Sequence, residues 1–134
     1  MTIAETCIPI ALILALATVL PAKILGRREF DNASPRDPAF YASGFRARSL
    51  AAHQNGLEAF PLFAAAVLLA EMRAVPQGRI DLLAAGFLLA RVVYVGCYLG
   101  NQPTARSLVW AVGFLLTLAI FFSPLSVGPL SVGR

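Results

Sequence analysis

Thr6–Ala22 contains no charged residue, and after Arg106 the next charge in the chain is Arg134. Two more long apolar stretches lie between them. Apolar runs of this length constrain the fold more than any other feature, because a bilayer core of about 30 Å is crossed by roughly 20 helical residues. Composition agrees: 58% of the 134 residues are hydrophobic and 13% are charged, where a water-facing domain carries about 25% charge. Strand-like alternation is absent, and a lipid-facing sheet would have to close into a barrel of many strands. The sequence therefore predicts an all-α, integral membrane four-helix bundle. Its helices fall near residues 6–25, 45–72, 80–99 and 105–123 of a single domain spanning 1–134, with membrane lipid as a partner.

The charges mark the topology. Lys23, Arg27, Arg28, Arg36, Arg46 and Arg48 crowd around the first loop, whereas the N-terminal flank has no Lys or Arg. The positive-inside rule puts that loop in the cytoplasm and both termini on the non-cytoplasmic side. The first block is expected to be a retained helix rather than a signal peptide, because its positive charges follow the apolar core instead of preceding it. Residues 26–44, rich in Arg, Asp, Pro and Ser, read as a polar loop with turn signals at Asn32–Pro35 and Asp37–Pro38. Residues 77–79 and 100–104 read as short turns, and a Gly- and Pro-containing tail follows Pro124. Short loops and Arg-rich character point to a bacterial inner membrane.

A net charge of +4 is compatible with nucleic acid, but no basic run carries interleaved exposed aromatics, so no nucleic-acid partner is expected. Cys7 and Cys97 lie in apolar blocks without metal-ligand spacing, and His53 is the single histidine. No metal site is expected, and His53 reads as a helix–helix hydrogen bond. No catalytic triad or phosphate loop can be assembled.

Charges inside a bilayer cost about 2.5–3.5 kcal/mol each by insertion scales, so those that remain point to pairing, a cavity or function. At about 100° per residue, Arg48, Asn55 and Glu58 share one stripe of the second helix, and His53 faces nearly the opposite way. Arg91, Tyr94 and Tyr98, spaced i, i+3, i+7, form a stripe on the third helix. Arg106 opens the fourth, followed by Ser107 and Trp110. The polar features of four blocks thus converge on the cytoplasmic end. Two readings stand side by side. In the structural one, Arg48 and Glu58 form a buried pair between neighbouring helices with Asn55 as interhelical glue, Arg106 snorkels to headgroups, and the tyrosines join an aromatic belt. In the other, arginine forks, a carboxylate, an amide and phenols form a pocket for a small zwitterionic peptide.

The stretch Arg48-Ser-Leu-Ala-Ala-His53-Gln-Asn55-Gly-Leu-Glu58-Ala-Phe-Pro61-Leu-Phe63, with its Asn-x-x-Glu-x-x-Pro core, resembles the second-helix signature of the MAPEG family, the membrane-associated proteins in eicosanoid and glutathione metabolism. The run Arg91-Val-Val-Tyr94-Val-Gly-Cys-Tyr98-Leu-Gly100 resembles that family's next conserved region, and Arg27-Arg28-Glu29-Phe30 and Arg106-Ser107 fit as well. The resemblance covers about residues 23–122. It implies a homotrimer that holds glutathione as cosubstrate between subunits near the cytoplasmic face. Carried over by position, Asn55 and Glu58 hold the peptide, and Arg91, Tyr94 and Tyr98 line the site. Arg106 stabilises the thiolate, Arg28 adds a basic contact, and Arg48 is a supporting polar residue. The implied function is a glutathione-dependent transferase or peroxidase acting on hydrophobic electrophiles. The alternative is a non-catalytic bundle or small-molecule-binding protein that keeps the fold without the chemistry. One departure favours the alternative: Ala51 stands where glutathione-using members typically carry arginine, two residues before His53.

Overall fold

The computed structural model describes residues 1–126; the tail beyond Ser126, with Arg134, lies outside the described residues. The elements are α1 (Ile3–Ala17), α2 (Leu20–Leu25), α3 (Gly44–Met72), α4 (Gln77–Leu99) and α5 (Pro103–Phe122), with a 3₁₀ turn at Ser123–Ser126. No strand occurs among the described residues. Among the described residues four segments are long and apolar enough to cross a membrane: Ile3–Leu25, which joins α1 and α2, then Gly44–Met72, Gln77–Leu99 and Pro103–Ser126. The α3–α4 pair sits in the middle; α1 packs on both of its members from one side and α5 from the other.

Helix ends follow capping chemistry more than hydropathy. α1 begins at Ile3, ahead of the apolar run, because Thr2 and Glu5 form a reciprocal capping box. Thr2 Oγ1 accepts from the Glu5 amide at 3.0 Å, and the Glu5 carboxylate accepts from the Thr2 amide at 2.8 Å. Residues 77–79 are the first turn of α4 rather than a loop, with Pro76 as N-cap. Pro103 starts α5 at a position where its missing N–H costs nothing, so the turn expected over 100–104 closes by Gln102. The break between α1 and α2 falls where Pro21 cannot donate to the Ala17 carbonyl. Beside it, Thr18 Oγ1 donates back to the Leu14 carbonyl at 2.7 Å, which weakens the last turn of α1.

α3 takes up the carbonyls at that break. Ser49 Oγ donates to the Thr18 carbonyl at 2.6 Å, and His53 Nδ1 bonds the Ala15 carbonyl at 2.7 Å. A carbonyl only accepts, so His53 carries its proton on Nδ1. The two helices approach closely because both present small residues there. A Cβ on Gly56 would stand 2.7 Å from the Ala15 Cβ. The core below is Phe63, Val67, Ile80 and Ile120, with Phe63 and Phe87 stacked at 3.9 Å between ring centroids. Outward faces carry Ile13, Leu68, Leu82, Leu89, Leu108 and Leu115, as lipid contact requires.

The loop of residues 26–44 is less purely polar than its composition suggests. Phe40 and Tyr41 are buried, and Phe40 packs edge-on against both Phe30 and Tyr41. Arg46 lies over the Phe40 ring and pairs with Glu29 at 2.7 Å. Burial pushes the Tyr41 phenol above its ordinary range.

Candidate functional site

The polar residues of α3, α4 and α5 form one connected ladder. Arg91 of α4 is buried, at 6% exposure, and its Nη1 donates to Asn55 Oδ1 of α3 at 3.0 Å. The same guanidinium lies 4.3 Å over the Tyr94 ring. Tyr94 meets Tyr98 edge-to-face at 5.5 Å, and Arg106 of α5 lies over the Tyr98 ring at 4.4 Å. Cation–π contacts of this kind gain strength where water is excluded. Heptad-like spacing on α4 makes the ladder possible, since Arg91, Tyr94 and Tyr98 share one face.

Arg48 joins at the outer end, where its Nε donates to the Leu99 carbonyl at 3.3 Å. That bond satisfies an orphan carbonyl at the end of α4. Within one chain Arg48 and Glu58 do not pair, which corrects the structural reading of the α3 stripe there. Ten residues apart on one helix, the two side chains lie about 15 Å apart along the axis. Among the described residues the ion pairs are Arg46–Glu29 and the terminal amine with Glu5. Glu58 is exposed, although it stands well inside a membrane-crossing segment. Arg28 is exposed in the turn after α2, and no contact brings it to the ladder within one chain. Within one chain the ladder therefore draws on three helices, α3, α4 and α5.

Two geometric features suit a ligand. Arg91 Nη2 is buried without a hydrogen-bond partner, an arrangement that costs energy unless something supplies an acceptor. Arg91 also helps to line a cavity of about 180 Å³ together with Asn55, Glu58 and apolar residues of α3, α4 and α5, while its Nη2 lies toward Gly56, 3.8 Å from where a Cβ there would stand. A wider cleft of about 710 Å³ opens on the opposite face of α3, beside Lys23, Arg36, Tyr41, His53 and Gln54, and shares no residue with the ladder. No group of residues suited to a metal ion occurs among the described residues.

Sequence reasoning passed over a second polar cluster at the other end of the bundle. Asp81 Oδ1 accepts from the Ala4 amide at 2.9 Å, and Glu71 Oε1 accepts from Thr2 Oγ1 at 2.8 Å. Gln77 Nε2 donates to both carboxylates, at 3.0 Å to Glu71 and 2.9 Å to Asp81. This cluster joins the start of α1 to α3 and α4. Asp81, a lone carboxylate near the start of an apolar block, was the available signal.

No curated protein and no solved structure matches the chain. The MAPEG family model matches residues 3–126, nearly the whole chain, including every rung of the ladder. That family comprises membrane bundles and includes glutathione-dependent enzymes. With four membrane-crossing helices and a match over almost its full length, the chain belongs to the MAPEG family.

Proposed function

We propose that the protein is a glutathione-dependent transferase or peroxidase acting on hydrophobic electrophiles in the membrane. The observation that carries this reading is the buried Arg91 guanidinium, which spends one nitrogen on Asn55 and leaves Nη2 without a partner. A peptide carboxylate or carbonyl in the cavity that Arg91 and Asn55 line has this guanidinium as its counter-charge. Glu58 accepts an ammonium group, and Tyr94 and Tyr98 form the aromatic wall. Arg106, at the outer end of the ladder, faces the thiol.

A free thiol titrates near ~8.5, and a neighbouring cation favours its anion. Each unit of depression corresponds to about 1.36 kcal/mol. The thiol proton passes to water, and the thiolate electron pair forms a new carbon–sulfur bond as the leaving group departs with its own pair. With a hydroperoxide, two thiols yield one disulfide, an alcohol and water.

The assembly that fits this chemistry is a homotrimer. Glu58 is exposed on a single chain inside the bilayer, where an uncovered carboxylate is costly. A neighbouring copy would cover it, and a neighbour's Arg28 would then add the basic contact that its own chain's ladder lacks. The Arg-rich end is taken as cytoplasmic, in keeping with a bacterial inner membrane.

Ala51, half-buried one turn before Asn55, favours the second reading, a bundle that retains the fold without glutathione chemistry. Calorimetric titration of the detergent-purified protein with glutathione separates the two, with Glu58→Ala as control. Binding in the low-millimolar range or tighter, lost in the control, supports the enzyme; absence of binding supports the second reading. Arg106→Ala should abolish turnover while preserving the assembly, and unchanged turnover removes the thiolate role.

A further inference from the structure

A small cavity lies where α1, α3 and α4 meet. Ala15, Thr18, Ala52, Gly56, Phe87 and Arg91 line it, and none of its lining residues is exposed. The room it leaves for a water-sized sphere is about 10 Å³. α1 and α3 already touch beside it, since a Cβ on Gly56 would stand 2.7 Å from the Ala15 Cβ. The helices therefore cannot close further to fill the space. Thr18 and Arg91 are the polar side chains in its lining. Arg91 Nη1 is committed to Asn55, whereas Nη2 lies toward Gly56 and has no acceptor among the described residues. Thr18 has the opposite need. Its hydroxyl proton goes to the Leu14 carbonyl at 2.7 Å, so Oγ1 offers only lone pairs. The Ala15 carbonyl accepts from His53 and keeps a second lone pair. A donor thus faces acceptors across a gap.

We propose that one ordered water occupies this cavity, accepting from Arg91 Nη2 and donating to Thr18 Oγ1 and to the Ala15 carbonyl. About 10–15 Å³ of such room admits one water, and a buried water typically makes about three hydrogen bonds. The occupant must accept on one side and donate on the other. A halide ion is larger and only accepts, and a metal cation would be set against the guanidinium. Water meets both demands. The inference does not depend on the glutathione-dependent reading, because the water lies between helices of one chain. Being neutral, it satisfies the Nη2 hydrogen bond and leaves the charge of Arg91 in place. Its consequence is positional: Nη1 is held by α3 and Nη2 by α1, so the plane of the guanidinium is fixed at both ends of its fork. Thr18 then becomes a positioning residue, and the break in α1 is tied to the inner rung of the ladder.

Crystals of the unmodified protein grown in lipid, at a resolution that shows ordered solvent, test the site directly. One peak within about 3.2 Å of both Arg91 Nη2 and Thr18 Oγ1 is expected. An empty space, or a chain atom bonded directly to Nη2, overturns the proposal. So does a bromide anomalous signal at that peak after a bromide soak, which would make the occupant an anion. Unfolding equilibria in mixed micelles test the bridge to Thr18. Thr18→Val removes the acceptor for the water and also the bond to Leu14, but the second loss is the same whatever residue stands at position 91. Thr18→Val should therefore shift the folded-to-unfolded ratio about threefold more beside Arg91 than in an Arg91→Met background, the worth of one hydrogen bond within a membrane bundle. Thr18→Ser keeps the hydroxyl and should show no such difference. Equal shifts from Thr18→Val in both backgrounds overturn the bridge. If Arg91→Met does not fold, the crystal result decides alone.

Discussion

Replacing Gly56 with alanine tests the seam on which the candidate site is mounted. The new Cβ would stand 2.7 Å from the Ala15 Cβ and 3.1 Å from the Ala15 Cα. Carbon atoms prefer about 3.5–4.0 Å, so α1 and α3 must part by about 1 Å. Neither colliding atom can turn aside, because each is fixed to its backbone. The bonds from His53 to the Ala15 carbonyl and from Ser49 to the Thr18 carbonyl, at 2.7 and 2.6 Å, stretch beyond useful length. Overpacking costs about 1–3 kcal/mol, and interhelical hydrogen bonds in membranes average about 0.6 kcal/mol each. The expected destabilisation is therefore about 2–4 kcal/mol. Equilibrium unfolding in mixed detergent micelles measures it, with two comparisons. Gly96→Ala, where an added Cβ meets nothing within 4 Å, should stabilise α4 by about 0.5–1 kcal/mol. The double variant Gly56→Ala with Ala15→Gly exchanges the methyl across the seam and should recover most of the loss. Wild-type stability in Gly56→Ala, or no recovery in the exchange, would refute the argument that backbone contact sets the α1–α3 distance.

Two other expectations follow from separate regions. Asp81→Asn keeps an oxygen for the Ala4 amide and should change stability little, whereas Asp81→Leu removes a cap worth about 0.5–2 kcal/mol and should fray α1, read by amide hydrogen exchange at Ala4 and Glu5. The buried Tyr41 phenol ionises less readily folded than unfolded, so its contribution is fully present below the ordinary phenol value near ~10. That contribution is lost as pH rises from there through the folded-state value. Tyr41→Phe should flatten this alkaline loss in pH-dependent unfolding, and an unchanged alkaline limb would exclude Tyr41 as its source.

The four crossings are legible because lipid makes one demand of every residue in a span, and runs without charge cannot hide. Helix ends are less legible, since hydropathy does not register a capping box at Thr2–Glu5 or a proline start at Pro103. On α4 the i, i+3, i+7 spacing of Arg91, Tyr94 and Tyr98 gave a face that the structure fills with the ladder. On α3 the angular stripe named Arg48, Asn55 and Glu58 together, yet Arg48 and Asn55 have different partners and Glu58 is exposed. Angle gives a direction and ignores height, and height decides that Asn55 meets Arg91 while Arg48 meets the end of α4. The aromatic packing of Phe30, Phe40 and Tyr41 was obscured by the polar residues around it. Arg28 shows a different limit: it is exposed in the turn after α2, and one chain offers it no contact with the ladder.

The break at Thr18–Val19 also acts as a key. A smooth apolar helix in lipid has nothing along its axis to stop it sliding past a neighbour, since every turn offers the same contacts. The interruption before Pro21 leaves carbonyls reachable at one height only, and Ser49 and His53, one turn apart on α3, fit that height and no other. Slipping α1 by a turn would set both donors against carbonyls already engaged within the helix. The first crossing is thus indexed to the second in depth, and Asn55, two residues after His53, inherits that depth.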